Sequence, residues 1–163
     1  MLAPTIRPMS KAIDGISVDA INAYRSAQGL SPDKFCYVDS VDRDSYVATD
    51  RPTQLEINKT LAEQDHDPFQ STFTTPDSRS FTAKVGVFEE CDGAKRGAIL
   101  IVYETATKKI ANTLEWEDVP FRFLWPGKPP ALLMQGQCFE CGDANVLYYD
   151  AGRKRFYWEY EGD

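Results

Sequence analysis

From Phe81 onward the apolar residues fall on alternate positions. Phe81, Ala83, Val85 and Val87 are separated by Thr82, Lys84 and Gly86, the period of a half-buried strand. Residues 98–104 then read Ala-Ile-Leu-Ile-Val-Tyr-Glu, a near-continuous apolar run that suits a central strand covered on both faces. Ile110, Leu114 and Trp116 share the face of a third strand. Val119, Phe121, Phe123 and Trp125 predict a fourth, with Pro120 among its first residues or on an edge. Turns fall at 91–94 (Cys-Asp-Gly-Ala) and 107–109 (Thr-Lys-Lys). Residues 125–130 (Trp-Pro-Gly-Lys-Pro-Pro) form a rigid loop, because three prolines remove donors and fix φ. Further strands are predicted at 131–134 and 145–149. The latter pairs with 156–160 across Asp150-Ala151-Gly152-Arg153, where Gly152 is expected to take positive φ.

The N-terminal half has one clear helical period. Ser17 is a good N-cap, Asp19 sits in the first turn, and Ala20, Ile21, Tyr24 and Ala27 recur at helical spacing. Gly29 stands where a left-handed cap would end this helix of residues 18–28. Its narrow apolar face suits docking on a sheet. A short strand is predicted at 35–38. Asp50 and Pro52 open a second helix with Leu55, Leu61 and Ala62 on one face, although Leu55 and Ile57 also alternate as a strand at 53–58 would. Residues 64–79 have loop composition. The resulting expectation is an α+β fold, with one N-terminal helix or two packed on a mainly antiparallel β-meander of about six to seven strands. It forms a single domain over 1–163: an extended arm at 1–12, a helix and loop region at 13–80, and the sheet at 81–163.

At 163 residues such a domain buries roughly two-thirds of its unfolded surface and needs no staple merely to fold. The net charge of −7 is spread along the chain and repels phosphate backbones, which argues against nucleic acid. Arg153, Lys154 and Arg155, interleaved with Tyr149, Phe156, Tyr157 and Trp158, have the composition of an RNA-stacking surface. However, Glu159, Glu161 and Asp163 follow closely, and in a hairpin the loop cations are solvated while Phe156 and Trp158 turn inward. No run approaches the roughly 20 apolar residues of a membrane-spanning helix. Residues 1–10 lack a signal-peptide apolar core, so the chain as written reads as cytoplasmic, or as periplasmic or secreted if a leader was removed.

The sharpest chemical motif is Cys138-Phe-Glu-Cys141-Gly142. Two cysteines three positions apart can clasp zinc, but the remaining pair, Cys36 and Cys91, forms no second knuckle. The same spacing serves thiol exchange, or the four cysteines form two disulfides, or they simply pack. Zinc is thus a candidate at the cysteines, and no other cofactor is expected. His66, the one histidine, lies between Asp65 and Asp67 in a polar loop and reads as solvent-exposed rather than as a general base. Glu89, Glu90 and Asp92 read as a solvated strand end. Asp39, Asp42, Asp44 and Asp50 form an acidic cluster that fails the EF-hand pattern. Glycine-rich phosphate loops and a G-x-S-x-G elbow are absent.

These features predict a non-catalytic binding or inhibitory protein, of the immunity-protein or enzyme-inhibitor type, that meets a basic partner protein with acidic residues. Asp39, Asp42 and Asp44 are the candidate electrostatic contacts, and Trp125 on its proline loop is the candidate aromatic anchor. The rival readings are a small enzyme (a carboxylate hydrolase, or a thiol enzyme at Cys138 and Cys141) and a zinc-stabilised interaction module.

Overall fold

The computed structural model describes residues 7–30, 32–42, 51–93, 95–117, 122–136 and 143–162. The first structured segment is a ribbon of two very short strands, β1 (Ala12–Ile13) and β2 (Ile16–Ser17). Asp14 and Gly15 join them, both with positive φ, at 49° and 79°. This is the Asp-Gly two-residue turn whose twist matches that of the flanking strands. The Asp14 carboxylate accepts hydrogen bonds from Lys108 and the Tyr103 phenol, which hold it below the usual carboxylate range and pin the turn to the sheet beneath.

Helix α1 (Val18–Ala27) starts where its sequence predicts: the Ser17 hydroxyl accepts from the Ala20 N–H at 3.1 Å. At the other end Gly29 has φ 67°, Gly29 N–H donates to Ser26 O, and Leu30 N–H donates to Arg25 O. That pair of bonds is a Schellman ending. The buried face is Val18, Ile21 and Arg25 with half-buried Tyr24, whereas Ala20 and Ala27 point to solvent.

Nine further strands make two larger antiparallel sheets. The first has the order β3 (Phe35–Ser40), β5 (Ser80–Glu90), β6 (Arg96–Glu104), β7 (Ile110–Glu117), with β4 (Gln70–Thr74) also paired to β5. Because β5 is 11 residues long, β4 takes its first half and β3 its second, from Gln70↔Lys84 to Thr74↔Ser80 and from Ser40↔Gly86 to Phe35↔Glu90. The second sheet has the order β11 (Arg155–Glu161), β10 (Ala144–Asp150), β9 (Leu133–Gly136), β8 (Phe123–Pro126). Helix α2 (Arg51–Ala62) precedes β4 and buries Leu61 in the core.

The central sheet is covered on both faces, which is why residues 97–103 of β6 are all buried. One face carries Ile99, Ile101, Tyr103 and Phe88 against Ile13, Ile16, Val18 and Ile21 of the ribbon and helix. The other carries Phe81, Val85, Leu100 and Val102 against Leu124, Leu133, Leu147 and Phe156 of the second sheet. Each such side chain, fully withdrawn from water, contributes about 1.5–3 kcal/mol.

The α+β class therefore holds in a strand-dominated form, with two helices among the described residues. The expected meander of six to seven strands is replaced, among the described residues, by eleven strands in three sheets. Residues 53–58 are helical rather than extended. Of the face expected on α2, Leu61 is buried while Leu55 and Ala62 are exposed. The loop expected at 64–79 contains β4, and the 150–155 hairpin takes its left-handed residue at Lys154 (φ 53°) rather than at Gly152. No helix is long and apolar enough to cross a membrane among the described residues.

Candidate functional site

The residues singled out in the sequence do not gather in one place. Cys36 on β3 and Cys91 after β5 are joined in a disulfide, which stitches the end of that strand pair. A four-cysteine zinc site is thereby overturned, because two of its four thiolates are consumed. Cys138, Cys141 and Asp44 lie outside the described residues. Asp39 is half-buried and accepts the Met9 N–H at 2.9 Å, so it ties down the N-terminal arm; Asp42 is exposed. Trp125 is half-buried on β8, packed on the core, with its ring over Gly136 so closely that a Cβ there would lie 3.1 Å away.

His66 is not the solvent group its loop suggested. Its Nε2 donates to the Leu124 carbonyl at 2.8 Å and its Nδ1 lies 3.0 Å from Asp65 Oδ1, so the ring ties the loop to β8. Glu89 and Glu90 are likewise buried rather than solvated, each 4% exposed. Consecutive strand positions point to opposite faces, so the two carboxylates do not form the facing pair a glycosidase needs. Glu89 is neutralised by Arg7 at 3.2 Å and Arg96 at 3.4 Å.

Glu90 is different, since its Oε2 has no hydrogen-bond partner. Burial, then the nearby Asp33 charge, pushes its carboxyl above the ordinary glutamate value of 4.5. A folded-state pKa above the unfolded one means that ionised Glu90 opposes folding. The penalty is absent below the ordinary value, grows as pH rises through the raised one, and is then constant. Glu90→Gln is accordingly expected to raise the urea midpoint at neutral pH, with the variant and parent curves converging as pH falls towards the ordinary glutamate range. Parallel curves at all pH values would show that the charge of Glu90 carries no such penalty.

Strand register brings another set of side chains together on the face of β10 and β11 turned away from Leu147 and Phe156. Directly opposed residues share a face, and here Trp125 opposes Met134, Met134 opposes Val146, and Val146 opposes Glu159. Two positions along lie Tyr148 opposite Tyr157, and on the other side Ala144 opposite Glu161. The Tyr148 and Tyr157 rings stack at 5.6 Å, and the Tyr148 hydroxyl donates to Glu161 Oε1 at 3.0 Å, which raises the phenol's pKa. Tyr157, Glu159 and Glu161 are exposed. Tyr160, 69% exposed, is turned to the opposite face by the strand alternation and reaches Asp143 with its hydroxyl. The stacked Tyr148–Tyr157 pair and the exposed Glu159 and Glu161 form an acidic aromatic surface at the edge strand β11. It is suited to cationic side chains, which bind both carboxylates and ring faces.

Comparison with known proteins gives no match: no family model, no curated protein and no solved structure corresponds to this chain.

Proposed function

We propose that the chain is a non-catalytic binding protein, of the immunity-protein or enzyme-inhibitor type, which engages a basic partner protein through the acidic tyrosine face of β10 and β11. The carrying observation is the Tyr148–Tyr157 stack flanked by exposed Glu159 and Glu161. Tyrosine gives large contact area at low rotamer entropy, so a pre-stacked pair loses little freedom on binding. Carboxylates supply orientation and on-rate, and the chain's wider negative charge, Asp42 and Asp44 included, steers a basic protein towards it. The hydrolase alternative is less well supported, since Glu89 and Glu90 diverge and Glu89 is already ion-paired.

The probe is a fluorescently labelled Arg/Leu peptide, followed by anisotropy, with its Glu/Leu counterpart as control. Binding of the basic peptide is expected, with rapid association that slows as salt is added. Tyr157→Ala should weaken it by about 30-fold, the size of an aromatic hot spot. Glu159→Lys with Glu161→Lys should slow association and flatten the salt dependence. Association and salt dependence that survive the double reversal unchanged would remove this face from the function.

A further inference from the structure

Three turns widely separated in sequence meet at one end of the two sheets. Residues 75–79 link β4 to β5, 105–109 link β6 to β7, and 151–154 link β10 to β11. Each contains a non-glycine residue in the left-handed region: Ser78 at φ 66°, Lys108 at 62° and Lys154 at 53°. Such conformations cost of order 1 kcal/mol or more for ordinary side chains and gather where the surrounding structure needs them. Here each is followed at once by a cation, namely Arg79, Lys109 and Arg155, and Lys154 is itself one. These four side chains line a half-open cleft of about 220 Å³ whose apolar wall includes Phe81, Phe156 and Ile110. The Phe81 and Phe156 rings meet edge to face at 4.8 Å.

The charge of the cleft opposes that of the chain. Glu104 is the one carboxylate in its lining. It and Asp77 are taken up by Arg79, at 3.5 and 3.4 Å, and Arg79 also donates to the Tyr149 hydroxyl. Among the described residues, Lys109, Lys154 and Arg155 make no side-chain hydrogen bond or ion pair, although the chain carries 25 acidic residues. Three uncompensated cations held around an apolar hollow repel one another, and an anion placed among them removes that repulsion. The volume is below that of a drug-sized pocket, which fixes the scale of the occupant.

We propose that this cleft binds a small organic anion: one carboxylate or phosphate group, met by Lys109, Lys154 and Arg155, on an aromatic-sized apolar body that lies against Phe81 and Phe156. The site is independent of the acidic face, and either can fail without the other.

The test is titration of the full chain with phenyl phosphate and with phenylacetate, followed by amide chemical shifts. Inorganic phosphate and benzyl alcohol are the controls. Saturable binding with a Kd in the millimolar range is expected for a ligand of about ten non-hydrogen atoms, with shifts centred on residues 79, 109 and 154–156. Inorganic phosphate should bind several-fold more weakly, because it forgoes the apolar wall. Benzyl alcohol should not bind. Lys154→Glu with Arg155→Glu, both solvent-facing and compatible with folding, should lower affinity by about tenfold or more. Lys128→Glu, a single charge reversal on exposed surface elsewhere, should leave it within about twofold. The proposal is overturned by an absence of saturation for both organic anions up to about 10 mM. Equal binding of inorganic and phenyl phosphate, or equal losses in the Lys128 and Lys154/Arg155 variants, would overturn it too. The two organic anions together distinguish a carboxylate from a phosphate preference.

Discussion

Replacing Cys36 and Cys91 by alanine is expected to destabilise the fold by about 4 kcal/mol. The two residues are 55 positions apart, and a cross-link over that span removes the corresponding closure entropy from the unfolded chain. The staple stands where β3 joins β5, next to the Phe35↔Glu90 pair and the Cys91 N–H bond to the Lys34 carbonyl. All of α2 and β4 lies inside the closed loop, so these elements gain most from the constraint. For a chain of this length the loss corresponds to about 10 °C in Tm. Reductant should lower the Tm of the parent similarly and leave the double variant nearly unchanged; any residual response in that variant belongs to Cys138 and Cys141. A double variant that melts within about 2 °C of the parent would show that the native β3–β5 pairing already supplies this constraint. A disulfide of this kind persists under oxidising conditions.

What could be read in advance was what is local. Helix α1 was legible because Ser17 and Gly29 specify its ends through their own backbone neighbours. The β10–β11 hairpin was legible because period two turns Phe156 and Trp158 inward, and both do pack on the core, Trp158 with its indole N–H on Asn112. Elsewhere the tertiary context decided. The Asp14-Gly15 turn carries a hairpin signature, but its strands are only two residues each, too short to show a period. Strand β4 has the polar composition of a loop and is a strand because the first half of β5 offers it an edge. The continuous run of β6 reported burial on both sides without saying that a helix and ribbon cover one and a second sheet the other.

The acidic tyrosine face was legible only by subtraction, since the period that buries Phe156 and Trp158 must expose Tyr157 and Glu159. Asp39 shows the converse: an acidic residue that looked free on paper has a backbone N–H to hold. The basic cleft was hidden further still, because its cations come from turns near residues 79, 109 and 155 that only the closed fold brings together.

Arg25→Ala is expected to cost about 3 kcal/mol, although a charged helix residue ordinarily faces water. The Arg25 side chain is buried against the central sheet and donates from Nε and Nη2 to both oxygens of Glu115, at 2.8 and 2.9 Å. Its Nη1 donates to the Asp33 carbonyl, and its guanidinium lies 3.8 Å from the centre of the Phe35 ring, which stacks on Phe88. One planar fork thus joins α1 to β7 and to the approach of β3, a geometry that lysine cannot reproduce. Truncation leaves Glu115 charged against a half-buried wall and the Asp33 carbonyl without its donor; breaking one side of a buried pair costs about 3–5 kcal/mol, and the partial exposure of Glu115 places this case at the lower end. Arg25→Lys should recover less than half of the loss. Arg25→Met combined with Glu115→Leu should be nearly neutral, because the desolvation of both charges disappears together with their attraction. Urea unfolding of the two single variants and the pair, read as a double-mutant cycle, measures the coupling directly. Single variants that each lose under about 1 kcal/mol, with no coupling between them, would mean that apolar contacts of Val18 and Ile21 alone dock the helix.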